Sequence, residues 1–143
     1  MFSFTTLISV MAILAAAVGI ANVLQSRKRA KSAPVDTPAH EVLAIELEHL
    51  RSRNEKPVVV MFFATFCPGC AAQTPIFKRV ARELDSLAHF VFIDVDKNES
   101  LRNRMEVRKI PVIMVFKGTE PYVAKHIGVQ NDEELTAFVK AAI

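Results

Sequence analysis

Apolar and polar residues fall along this chain in two regimes. From Met1 to Ser26 no side chain is charged, and residues 2–24, FSFTTLISVMAILAAAVGIANVL, form a nearly continuous apolar run. As a helix that run would extend roughly 34 Å, slightly more than the ~30 Å hydrocarbon core of a bilayer. Residues 27–38 are polar, contain Pro34 and Pro38, and read as a linker. Beyond them apolar residues return in short blocks, some at helical spacing and some unbroken.

Thr37 and Pro38 make a cap and a first-turn proline, and Leu43, Leu47 and Leu50 recur at helical spacing with Val42 and Ile45 beside them. They predict a helix from residue 38 to about residue 53. Its charged face, Glu41, Glu46, Glu48 and Arg51, reads as solvated. PVVVMFFATF is a continuous β-branched and aromatic run, as expected of a central strand covered on both faces. Ile76, Phe77, Val80, Ala81, Leu84 and Leu87 mark a long amphipathic helix, and HFVFIDVD a second buried strand. NESLRNRMEV predicts a short helix capped by Asn98, PVIMVFKG a third strand, and PYVAKHIG a fourth reached through a turn at Gly118. NDEELTAFVKAAI closes as a helix, with Asn131 as cap and acids in the first turn, where the helix dipole favours them. Helices alternating with strands imply parallel βαβ units, and the last strand-turn-strand implies an antiparallel edge. The expected fold is an α/β sandwich around a mixed four-stranded sheet over residues 39–143, with residues 1–26 as a transmembrane helix ahead of it.

At 143 residues the chain accommodates one such domain and not two. Its net charge of +3 does not point to nucleic acid. Arg27, Lys28, Arg29 and Lys31 directly follow the apolar run, and past them 14 cations stand against 15 carboxylates, a net of −1. The basic balance is therefore a cluster beside the apolar run, placed to attract anionic lipid. An uncleaved anchor is the reading adopted. A cleaved signal ending at Gly19-Ile20-Ala21 is the alternative, but no cation precedes the apolar run as a signal requires. A buried core helix is a third. Cations that follow the span favour a cytosolic domain, as at a mitochondrial outer membrane or an endomembrane. A secretory lumen or periplasm is the alternative.

The only two cysteines, Cys67 and Cys70, sit in TFCPGCA between the strand ending near residue 66 and the helix that follows. A helix N-terminus stabilises a thiolate over its thiol, so Cys67 can attack a disulfide and Cys70, one turn on, can resolve the product. Other readings are a structural staple, a zinc site, or a cluster bridging two chains. A loop this small staples little, and His40, His49, His89 and His126 show no ligand spacing with the pair.

Over roughly residues 40–143 the chain resembles the thioredoxin superfamily. ATFCPGC is similar to that family's segment A-x-W-C-G-P-C, Pro75 matches its helix-kinking proline, and RKIPVIMVFKG its cis-proline segment. Gly118 and Gly128 match its turn and strand-end glycines. The resemblance implies a cis bond at Ile110-Pro111 packed on the cysteines, with Ile110 pairing to substrate backbone. It implies a thiol–disulfide oxidoreductase with Cys67 as nucleophile, Cys70 resolving, and Phe66, Pro68, Ile110 and Pro111 at the substrate. It calls for no cofactor and no metal. The implied partners are protein disulfides, an unidentified thiol reductant, and a membrane reached through residues 2–24. The family's first strand has no counterpart in the pattern. Its buried aspartate is here Met61, a frequent accompanying lysine Phe92, and its tryptophan Phe66. The Pro68-Gly69 order is that of glutaredoxins, tryparedoxins and bacterial disulfide oxidases. A tethered adaptor whose cysteines are vestigial is the rival reading.

Overall fold

The computed structural model describes residues 39–143. The apolar run at residues 2–24, the linker at 27–38 and the anchor assigned to them lie outside the described residues. Among the described residues no helix is long and apolar enough to cross a membrane.

The elements run β1 (Ala39–Glu41), α1 (Ala44–Arg53), β2 (Val58–Phe63), α2 (Pro68–Leu84), β3 (His89–Asp94), α3 (Glu99–Arg104), β4 (Val112–Phe116), β5 (Ala124–Ile127) and α4 (Asp132–Ala142). The sheet order is β1-β3-β2-β4-β5. Strands β1, β3 and β2 are parallel, while β4 and β5 are each antiparallel to the strand before them in that order.

The sheet therefore has five strands rather than the expected four. Ala39, His40 and Glu41 lie in register with Phe90, Val91 and Phe92, and the Val42 N–H extends the ladder to the Phe92 carbonyl at 2.9 Å. The pairing satisfies backbone groups of β3 that would otherwise be open. In consequence α1 starts at Ala44 and not near residue 38. The Leu43 N–H is taken by the Glu46 carboxylate at 2.7 Å. Leu43 and Ile45, expected on the buried stripe, are exposed, and only Leu47 and Arg51 of this helix are fully buried.

Alternate residues of β2 face opposite layers, because successive strand side chains point to opposite faces. Val59 and Met61 pack under α2 and α4 with Phe77, Val80, Leu84, Leu135 and Val139. Val58, Val60 and Phe62 pack on the other side with Leu47 and Leu101. Burial on both faces explains the lack of alternation in the sequence.

Arg51, expected on a solvated face, and Asn98, expected to cap a helix, are both buried in joints. Arg51 donates to the carbonyls of Gly118, Thr119 and Glu120 at 3.2, 2.9 and 2.6 Å, and its guanidinium lies 4.5 Å from the Phe116 ring centroid. Asn98 precedes α3 but its side chain does not cap that helix. It accepts from the Ala44 N–H at 2.9 Å and donates to the Asp94 carbonyl at 2.9 Å, joining the start of α1 to the end of β3. Asn131 does cap α4, with Glu134 completing a reciprocal capping box.

Candidate active site

The sheet register brings three loops to one place. Phe62, near the end of β2, lies opposite Val112, the first residue of β4, and Val112 in turn lies opposite Ile127, the last of β5. The chain leaving β2 toward Cys67, the segment entering β4 through Pro111, and the turn leaving β5 at Gly128 thus meet at the same sheet end.

Cys67 is the residue ahead of α2, in extended conformation, and Pro68 holds the first helical position. A proline fits there because its missing N–H has no helical partner to lose. The Cys67 Sγ accepts the Cys70 N–H at 3.1 Å, so sulfur takes one of the orphan donors of the helix start. The two cysteines form a disulfide across a Cα–Cα distance of 5.2 Å. Cys67 is half-buried, whereas Cys70 is 2% exposed, which makes Cys67 the sulfur that an incoming disulfide can reach. Farther along α2, Pro75 lacks an N–H for the ladder, and the Thr74 hydroxyl donates to the Cys70 carbonyl at 2.8 Å.

Ile110-Pro111 is a cis peptide bond, as the resemblance implied. Pro111 is buried and Ile110 half-buried. A Cβ placed on Gly69 would lie 3.2 Å from Pro111 Cδ and 3.7 Å from Val129 Cγ2, so glycine is what allows the proline to approach the cysteine turn this closely. The Gly128 N–H donates to the Pro111 carbonyl at 2.9 Å. Phe66 stands 97% exposed beside Cys67, and Pro68 is exposed with it. The structure thus gathers Phe66, Cys67, Pro68, Cys70, Ile110 and Pro111 around one turn. No charged residue occurs between positions 64 and 77, and the helix N-terminus contributes positive potential at Cys67.

A family model described as thioredoxin matches residues 42–141. The chain belongs to the thioredoxin family. Among its relatives, the chloroplastic thioredoxin Y of Oryza sativa subsp. japonica is 35% identical over 74 residues, covering 52% of this chain and 44% of that protein. The chain thus spans under half the length of that relative. The thioredoxin of Staphylococcus saprophyticus subsp. saprophyticus is 37% identical over 82 residues, covering 57% of this chain and 78% of that one. Of solved structures, chloroplastic thioredoxin z aligns with TM-score 0.66 at 24% identity, over 73% of this chain and 93% of that one. The thioredoxin of Malassezia sympodialis aligns with TM-score 0.65 at 20% identity, over 73% and 89%. At those identities the structures speak to the fold alone. With the family's cysteine pair joined at a helix start, this thioredoxin-family chain is a thiol–disulfide oxidoreductase by class.

Its departures from the family pattern are built into the core. Met61 and Phe92 are both buried, and the cluster that receives Cys70 contains them with Val59, Phe77 and Ile113, all apolar. Among the described residues no three His, Cys, Asp or Glu side chains are grouped to hold a metal ion. Two residues near the cysteines escaped the sequence reading. Val129, half-exposed against Gly69, had no signal in the sequence. Gln73 had one: it is the polar member of the otherwise apolar buried stripe Cys70, Gln73, Phe77, Val80, Ala81 and Leu84 of α2.

Proposed function

We propose that this chain is a membrane-tethered protein-disulfide reductase. The observation that supports it is the Cys67–Cys70 disulfide at the start of α2 with Pro111 seated against Gly69. In the reduced protein the Cys70 N–H that now meets the Cys67 Sγ would bond a Cys67 thiolate and favour it over the thiol. That thiolate attacks one sulfur of a substrate disulfide; a new S–S bond forms and the other substrate sulfur leaves as thiolate, protonated by water. Cys70 then loses its proton to solvent and attacks the Cys67 sulfur. The second substrate thiol leaves, and the Cys67–Cys70 disulfide carries away the two electrons' worth of oxidation. An external thiol reductant returns the pair to its reduced state. Ile110 and Pro111, with the exposed Phe66 and Pro68, form the surface for the substrate polypeptide.

Residues 2–24 are the tether in this reading, and Arg27, Lys28, Arg29 and Lys31 orient the domain to the cytosol. The decisive experiment is a redox titration of the full chain against defined thiol–disulfide buffers, read by mass after alkylation. A reversible two-electron transition near or below about −250 mV supports a cytosolic reductant, and one near −150 mV favours an oxidase or isomerase in a lumen or periplasm. Absence of any reversible disulfide sinks the enzyme. Protease protection on membranes tests the topology separately.

The adaptor reading is favoured by one observation, the apolar pair Met61 and Phe92 in the Cys70 cluster, which offers no proton acceptor. Full biological activity in Cys67→Ser would establish it in place of the reductase.

A further inference from the structure

Gln73 lies three residues past Cys70 on α2 and is completely buried on its apolar face, where leucine would pack with no polar group to satisfy. Its amide is used at one point. Gln73 Oε1 accepts the backbone N–H of Gln130 at 2.7 Å. Its Nε2 and the side-chain Oε1 of Gln130 are buried without a partner, a donor and an acceptor on the same two residues. Burying an incompletely paired amide is unfavourable, so the bond it makes has to hold something the fold does not otherwise hold.

What it holds is the turn after β5. That turn is tied at both ends: the Gly128 N–H to the Pro111 carbonyl at 2.9 Å, and the Gln130 N–H to Gln73. Between the two ties stands Val129, half-exposed and in van der Waals range of the Gly69 position. The first tie runs to the proline loop and the second to the helix that Cys67 caps and that carries Cys70. Val129 is therefore fixed relative to the disulfide by a side chain of the redox helix itself.

We propose that Gln73 is a positioning residue that sets Val129 as one wall of the substrate groove, and so selects polypeptide disulfides over small ones. The inference rests on the reductase reading above. A small disulfide needs only the Cys67 sulfur, whereas a polypeptide must also lie against the wall. Loosening the turn should weaken the second and spare the first. Such a loss appears in KM rather than in kcat, because it removes contacts made equally in ground and transition states.

The test uses the full 143-residue chain in detergent, with insulin as the polypeptide disulfide and hydroxyethyl disulfide as the small one. Gln73→Met keeps the size and removes the acceptor; Val129→Ala trims the wall without touching the amide. The expected result is a fall of about tenfold in the ratio of kcat/KM for insulin to that for the small disulfide in Gln73→Met, carried by KM. Val129→Ala lowers the ratio in the same sense, and the midpoint potential stays at its wild-type value in both. An unchanged ratio in either Gln73→Met or Val129→Ala overturns the proposal, as does a shifted potential in Gln73→Met, which would place Gln73 in control of the thiols. If Gln73→Met does not fold, Gln73→Asn, which shortens the reach of the acceptor, is read in its place, with the same outcomes expected and overturning. A wild-type chain that reduces neither probe overturns the reductase reading, a result distinct from an active wild type with an indifferent ratio.

Discussion

Met61 and Phe92 are direct register partners across β2 and β3, and both are buried in the apolar cluster that also receives Cys70. In the proposed cycle Cys70 must lose a proton before it can attack, and no ionisable side chain of that cluster stands ready to take it. Met61→Asp supplies such a group. An unpaired carboxyl there is expected to destabilise the fold by at least about 2 kcal/mol and to titrate above the ordinary carboxylate range through desolvation. Resolution of a trapped mixed disulfide should then gain a second inflection in its pH–rate profile. Urea melts and rapid-quench alkylation check the two halves; an unaltered profile in a folded variant would remove proton acceptance from the list of what limits the wild-type step.

Arg51 is a guanidinium spent on three consecutive carbonyls and one aromatic face. Arg51→Ala leaves those carbonyls without their donors and is expected to cost about 2–4 kcal/mol in chemical denaturation. Arg51→Lys should recover little of it, because an ammonium cannot reproduce the planar fork. Equal stability of the lysine variant and the wild type would show that the charge alone suffices.

His89 begins β3 half-buried, and burial lowers its pKa from the usual 6.5, helped by Lys56 and Arg53 and opposed by Glu55 and Asp85. The unfolded chain therefore binds a proton more readily than the native one. Stability from this residue is fully present above about pH 6.5 and is lost as the pH falls through the lower folded value. A native-state NMR titration of the His89 ring should give a midpoint below 6.5, and His89→Gln should flatten the corresponding limb of the stability–pH curve.

Much of this architecture was legible because its signals are local. The unbroken runs at Val58–Phe63 and His89–Asp94 announce strands covered on both faces, and the acids ahead of Leu135 announce the start of α4. The pair of cysteines was legible from its place between a strand and a helix, and Pro75 and Ile110-Pro111 from the resemblance to the thioredoxin superfamily. What escaped depends on partners far away in the chain. Strand β1 has three residues with only Ala39 buried, and it exists because β3 offers an open ladder some fifty residues later. Arg51 looked solvated because its acceptors, Gly118 to Glu120, arrive from more than sixty residues downstream. Gln73 carried a visible anomaly, a polar residue in an apolar stripe, but its meaning required Gln130 to be beside it.

The ends of the sheet bear on how closely copies of this domain can be brought together. Its two outermost strands have three and four residues, and β5 carries Lys125 and His126 within those four. Edges this short, each bearing a charged residue, are poor templates for strand addition by a neighbouring copy. The fully exposed ring of Phe66 therefore stands on a domain whose own borders resist self-association. The most exposed aromatic ring lies beside the reactive sulfur and not on a strand edge, so copies brought close together are poorly placed to nucleate β-rich aggregates.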